Sequence, residues 1–60
     1  MCEFKVFLDG EKIAEDIVYA KIEGDQITLR DILGRPTVLT STRLDELNVM
    51  TTNLLLSKIK

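Results

Sequence analysis

Ile17-Val18-Tyr19-Ala20-Lys21-Ile22-Glu23-Gly24-Asp25-Gln26-Ile27-Thr28-Leu29-Arg30 reads as two strands around a turn. Val18, Ala20 and Ile22 share one side, and Ile27 and Leu29 alternate with Thr28 and Arg30, so the period is two. Glu23-Gly24-Asp25-Gln26 between them carries the turn composition. The same pattern extends in both directions. Upstream, Cys2, Phe4, Val6 and Leu8 alternate with Glu3, Lys5 and Phe7. Phe7 interrupts the polar face, which predicts that both faces of this first strand are partly covered. Asp9-Gly10 then signals a turn, and Ala14-Glu15-Asp16 reads as a bulge or a short irregular link.

Downstream, Ile32-Leu33-Gly34-Arg35-Pro36 is a connection, with Gly34 free to take positive φ and Pro36 fixing the exit. Thr37-Val38-Leu39-Thr40 is strand-like. Ser41 to Met50 is ambiguous: Thr42 with Asp45 can cap a helical turn carrying Leu44 and Leu47, or Arg43 to Val49 can be a strand with a bulge. Thr51-Thr52-Asn53 turns into a closing strand, Leu54-Leu55-Leu56-Ser57-Lys58-Ile59. No stretch has sustained helical periodicity. The chain is therefore expected to be all-β, as one domain over residues 1–60. Roughly five to seven short strands would form a small barrel or a strongly curved antiparallel meander, since closure removes exposed edges.

A chain of 60 residues buries only about 60% of the surface its unfolded form exposes, and such scaffolds lean on disulfides, metals or oligomerisation. A single cysteine excludes an internal disulfide. The surplus of Leu54-Leu55-Leu56 with Phe4 and Phe7 predicts a homodimer closed by apolar strand surface. No segment is long and apolar enough to span a membrane, and none resembles a signal peptide. With one thiol, the expected location is cytoplasmic.

The chain has no histidine, so the commonest general base and metal ligand is missing. Ser41 and Ser57 have no activating context, and Gly10, Gly24 and Gly34 are isolated turn glycines rather than a phosphate loop. The pairs Glu15-Asp16 and Asp45-Glu46 read as solvated surface. The chain is not expected to be an enzyme. Net charge is −2, from 8 basic and 10 acidic residues, which argues against nucleic acid as a partner. A rival reading is a Sm-like module binding RNA through Arg30, Arg35 and Arg43, although those arginines also read as solvated strand-end charges.

Cys2 is the remaining candidate. Directly after Met1, it has two readings. As a small hydrophobe it would start a strand inside the core. As a ligand it combines a thiolate with nearby backbone nitrogen, either the freed amine of Cys2 or, if Met1 is retained, the Met1 amine and the Cys2 amide. Planar thiolate and nitrogen donors suit Ni(II) or Cu(II), and tetrahedral sets suit zinc. One chain supplies too few donors, so a metal here implies two chains sharing it.

The opening Met1-Cys2-Glu3-Phe4-Lys5-Val6 resembles that of the CooT family, small nickel-binding proteins associated with carbon monoxide dehydrogenase maturation. The similarity runs on through Ile17-Val18, Gly24-Asp25, Asp31-Ile32-Leu33-Gly34, Arg43-Leu44-Asp45-Glu46-Leu47 and the apolar closing strand. It implies a small β-barrel of SH3 or Sm type, a homodimer, and a Ni(II) site using Cys2, in a metallochaperone serving a nickel enzyme such as carbon monoxide dehydrogenase. Only Cys2 carries across as a side-chain ligand. Where some relatives have a histidine in the last hairpin, this chain has Thr51-Thr52-Asn53. Members have also been labelled predicted RNA-binding proteins, a label that follows fold type.

Overall fold

Alternation becomes burial most directly in the third strand. Ile27 and Leu29 point inward and are fully buried, while Thr28 and Arg30 point away. The computed structural model describes residues 3–59. Its strands are β1 (Phe4–Leu8), β2 (Glu11–Glu23), β3 (Gln26–Asp31), β4 (Pro36–Leu39), β5 (Thr42–Asn48) and β6 (Asn53–Lys58). They form one sheet in the order β4-β3-β2-β1-β6-β5. No helix occurs among the described residues.

β2 shapes the molecule. Its first half pairs with β1, from Leu8↔Glu11 to Phe4↔Ile17, and its second half pairs with β3, from Ile17↔Asp31 to Glu23↔Gln26. The β1 register slips between Phe4 and Val6 and again between Val6 and Phe7, and the β3 register slips between Ile17 and Tyr19. Each slip sets extra residues of β2 against its neighbour, and such bulges bend a strand and increase its twist. Asp16 sits in the bend at φ 58°, a left-handed conformation that aspartate tolerates better than most residues. Of the two readings of Ala14-Glu15-Asp16, a bulge or an irregular link, the structure has the bulge, within a continuous strand.

Because β2 bends so strongly, β3 to β5 wrap over the core and return the chain beside β1. β6 then runs parallel to β1, from Lys5↔Asn53 to Leu8↔Leu56. The remaining neighbours are antiparallel, so the curved sheet is mixed rather than the purely antiparallel meander of the sequence reading. It does not close. The corner between the edge strands β4 and β5 is tied down from two sides: the Thr42 amide donates to Asp25 O of the β2–β3 turn at 2.9 Å, and the Ile59 amide, just past β6, donates to Ser41 O at 2.7 Å.

The ambiguous stretch after Ser41 is a strand. β5 pairs with β6 from Thr42↔Lys58 to Asn48↔Asn53, with a register shift between Leu44 and Glu46 that makes Asp45 the extra residue. Thr42 is buried, and its hydroxyl donates to Thr40 O at 2.9 Å, which leaves no unpaired hydroxyl in the core. A helical cap there would forfeit both the ladder and this burial.

The core is Val6, Ile17, Ile27, Leu29, Leu54 and Leu56, with Phe4, Leu8 and Leu39 packed against its rim. This corrects the expectation for the leucine run. Leu54 and Leu56 are core residues and Leu55 is half-buried, so the run is not a surplus left for an interface. The exposed apolar side chains lie elsewhere.

Candidate metal site

Met1 and Cys2 lie outside the described residues, so the site is built from the chain they lead into. β1 begins at Phe4, which sits opposite Ile17 of β2. The parallel pairing brings the β5–β6 hairpin to the same end of the molecule. The Lys5 amide donates to Thr52 O at 2.9 Å. The Lys5 ammonium reaches Thr51 O at 3.3 Å and the Thr52 hydroxyl at 3.2 Å. The hairpin is braced in turn, because Asn48 Oδ1 accepts from the Thr51 amide at 3.2 Å and the Thr52 amide donates to Val49 O at 3.3 Å. Thr52 holds φ 55° within this turn. The stretch just after Cys2 is thus fixed by backbone and side-chain hydrogen bonds to a hairpin far away in sequence.

An apolar groove of about 210 Å³ opens beside Phe4, walled by Val18, Tyr19 and Ala20 of β2 and by Leu47 and Leu54 of the hairpin. Asn53, level with Lys5, has a buried Oδ1 that receives no donor among the described residues. Among the described residues, no three histidine, cysteine, aspartate or glutamate side chains gather as a metal-binding set.

The second concave region, about 370 Å³, lies at the β3–β4 corner and includes Asp16, Asp31, Leu33 and Arg35. Asp31 organises it. Its Oδ1 accepts from the Leu33 amide at 2.9 Å and the Arg35 amide at 3.0 Å, and Arg35 Nε reaches Oδ2 at 2.7 Å. Partial burial pushes the Asp31 pKa up, but the donors from Arg35 and Leu33 outweigh it and hold the carboxyl below its ordinary value. Gly34, at φ 84°, completes the turn by donating its amide to Asp31 O at 2.9 Å.

The three arginines weighed for RNA are divided by this geometry. Arg30 donates to Gly34 O at 3.2 Å and Arg35 pairs with Asp31, so these two share the β3–β4 corner. Arg43 stands on β5 and contacts Asp45 at 3.2 Å and the Ser57 hydroxyl at 3.1 Å. Two of the three guanidinium groups already face a carboxylate, which lowers the positive potential a phosphate would meet.

The decisive comparison covers nearly the whole chain. A family model described as CO dehydrogenase accessory protein CooT matches residues 1–57, beginning at the Met1-Cys2 start. The chain belongs to the CooT family. CooT proteins are accessory to CO dehydrogenase and are not themselves catalysts. No curated protein matches the sequence. No helix of the described residues is long and apolar enough to cross a membrane. The braced hairpin and the groove beside Phe4 were not foreseen from sequence, because each depends on β6 lying parallel to β1.

Proposed function

We propose that this CooT protein carries Ni(II) as cargo for carbon monoxide dehydrogenase in the cytoplasm. One ion is shared by two copies and held by the two Cys2 thiolates with backbone nitrogen from the two N-termini. The observation that carries this reading is the family match starting at residue 1 in a chain whose one cysteine is residue 2 and which has no histidine. An accessory protein of a nickel enzyme needs a soft donor, and Cys2 is the only thiolate available. Covalent geometry keeps Cys2 within about 7 Å of Phe4, and Phe4 borders the apolar groove. Such a terminal site gives up its metal to a partner by ligand exchange more readily than an enclosed one.

Titration of purified protein with nickel tests the reading. A thiolate-to-metal charge-transfer band should grow to an end point of one Ni(II) per two chains. Affinity should fall with pH, because a thiol with an ordinary pKa of about 8.5 must lose its proton to bind. Cys2→Ser should abolish the band and leave the circular dichroism spectrum unchanged. Tight nickel binding by that variant would refute the assignment. Copper competes by the usual affinity order, so a Cu(II) titration should displace nickel.

A further inference from the structure

β4 and β5 are the two open edges of the sheet, and they are protected unequally. Along β5 the extra residue Asp45 interrupts the edge, and Arg43, Asp45 and Glu46 put charge on it, the usual defences against strand pairing. β4 has only its short length and Pro36, its first residue. The Asp31 amide donates to Arg35 O at 3.2 Å, and the same register runs on through Leu29↔Thr37 to Ile27↔Leu39. Alternate pairs of an antiparallel ladder exchange both hydrogen bonds, so Thr37 and Leu39 direct their polar groups to β3. Pro36 and Val38 lie between, and their backbone polar groups point off the sheet. Pro36 has no amide to offer. Val38 presents both its N–H and its C=O to one residue of an incoming strand, and its side chain is 55% exposed.

We infer that β4 accepts an extended acidic segment of a partner protein as a further antiparallel strand, with the segment's backbone on Val38 and a carboxylate on Arg30. Arg30 sits opposite Pro36 on the outward face, the face of Thr28 and Val38. Its hydrogen bond goes to a carbonyl, Gly34 O at 3.2 Å, and it belongs to none of the ion pairs among the described residues. An added strand lies two strand spacings from β3, about 10 Å. Arg30 and a glutamate together cover that distance over the short ring of Pro36. In antiparallel register, the residue beside Pro36 comes two places after the one paired with Val38, so the carboxylate belongs there. Asp31 already orders this end of the edge through the Leu33 and Arg35 amides, which lowers the ordering cost of binding. Backbone bonds give such an added strand its affinity, and the charge gives it selectivity. A second copy of the chain is the poorer occupant. Its acidic edge is β5, where Asp45 breaks the register, and joining β4 to β5 repeats head to tail into open filaments. Nothing in this contact involves Cys2, so it holds whether or not nickel is the cargo.

Amide NMR of the full chain, titrated with a blocked peptide Thr-Thr-Val-Thr-Glu-Thr, tests this surface. The peptide valine should pair with Val38 and the glutamate should reach Arg30. Shifts should centre on Val38 and Arg30, with half-saturation below about 1 mM peptide. Exchanging the glutamate for lysine, or Arg30→Gln in the protein, should weaken binding about fivefold. Added salt should weaken it as well, by screening. N-methylation of the peptide valine should abolish binding. Val38→Pro should abolish it too and still fold, since the amide it removes faces away from β3; if circular dichroism shows otherwise, the N-methylated peptide decides on the wild type. No saturable binding, equal binding of the lysine or N-methylated peptide, or shifts confined to other strands would overturn the inference. So would a uridine hexanucleotide that shifts Arg30 where the peptide does not, making this face an RNA site. A sedimentation mass that falls in Val38→Pro would show the edge filled by a second copy, and overturns it likewise.

Discussion

Leu29→Ala tests whether β3 is the centre of the core. Leu29 is fully buried, between Ala20 on β2 and Thr37 on β4. The substitution removes three carbons, worth about 2.4 kcal/mol of transfer free energy at about 0.8 kcal/mol each. Incomplete collapse of the cavity brings the expected loss to about 3–4 kcal/mol. A 60-residue domain has a stability of about 3–9 kcal/mol at the usual value per residue. One side chain therefore accounts for a third or more of the total. Urea unfolding followed by circular dichroism, at one fixed chain concentration because dimerisation adds to apparent stability, should show a lowered midpoint with an unchanged slope. Leu33→Ala is the control, since Leu33 is 72% exposed and should change stability by less than about 0.5 kcal/mol. A loss at Leu29 below about 1 kcal/mol, or equal to that at Leu33, would refute the inward assignment of β3.

Asp31 links the β3–β4 corner to pH. Its folded pKa lies below the ordinary 3.8, so its contribution is complete above the unfolded value and is lost as pH falls through the folded one. The melting-temperature gap between wild type and Asp31→Asn should hold steady near neutrality and narrow below about pH 4; a gap that widens in acid contradicts the sign. Glu15, lowered by its hydrogen bond and charge interaction with Lys12, should behave in the same direction with a smaller effect, because both partners are exposed. Gly34→Ala should cost about 1–2 kcal/mol from the left-handed backbone alone, as a Cβ at that position meets no atom within 4 Å. Thermal melts of Gly34→Ala and Gly34→Asn should rank asparagine as the milder change, and equal melting temperatures would argue against backbone strain as the cause.

How much the sequence disclosed depended on whether the deciding contact was local. Ile27-Thr28-Leu29-Arg30 alternates and is flanked by turn residues, so its inward and outward sides were legible without a partner. The bulge near Asp16 was legible too, because Glu15-Asp16 breaks an apolar alternation. Arg43-Leu44-Asp45-Glu46-Leu47 was not, since its bulge at Asp45 lets the same residues fit a helical turn as easily as a strand. Only the ladder to β6 decides between them. The parallel run of β6 along β1 was invisible for a related reason: direction follows from accumulated bends in β2, which no short pattern encodes. Leu54-Leu55-Leu56 looked like excess because core size had been judged from chain length. Two of the three turned out to be needed inside, and the exposed apolar side chains lie on other segments, Ile22, Leu33, Leu47 and Met50 among them. For the metal, residue type and position at Cys2 left the ligand and core readings level, and only the resemblance to the CooT family favoured the ligand.

The pairing of β1 with β6 also has a consequence for how the chain comes into being. Val6 meets Leu54 and Leu8 meets Leu56, so strands from opposite ends of the polypeptide are neighbours at the middle of the sheet. Loop closure over that span is costly before any contact repays it, and such distant pairings slow folding. During synthesis β1 can do no more than hairpin with β2 until β6 has emerged. The segment following Cys2 is then secured only when β6 docks, which makes that strand a gate on when the groove beside Phe4 takes shape.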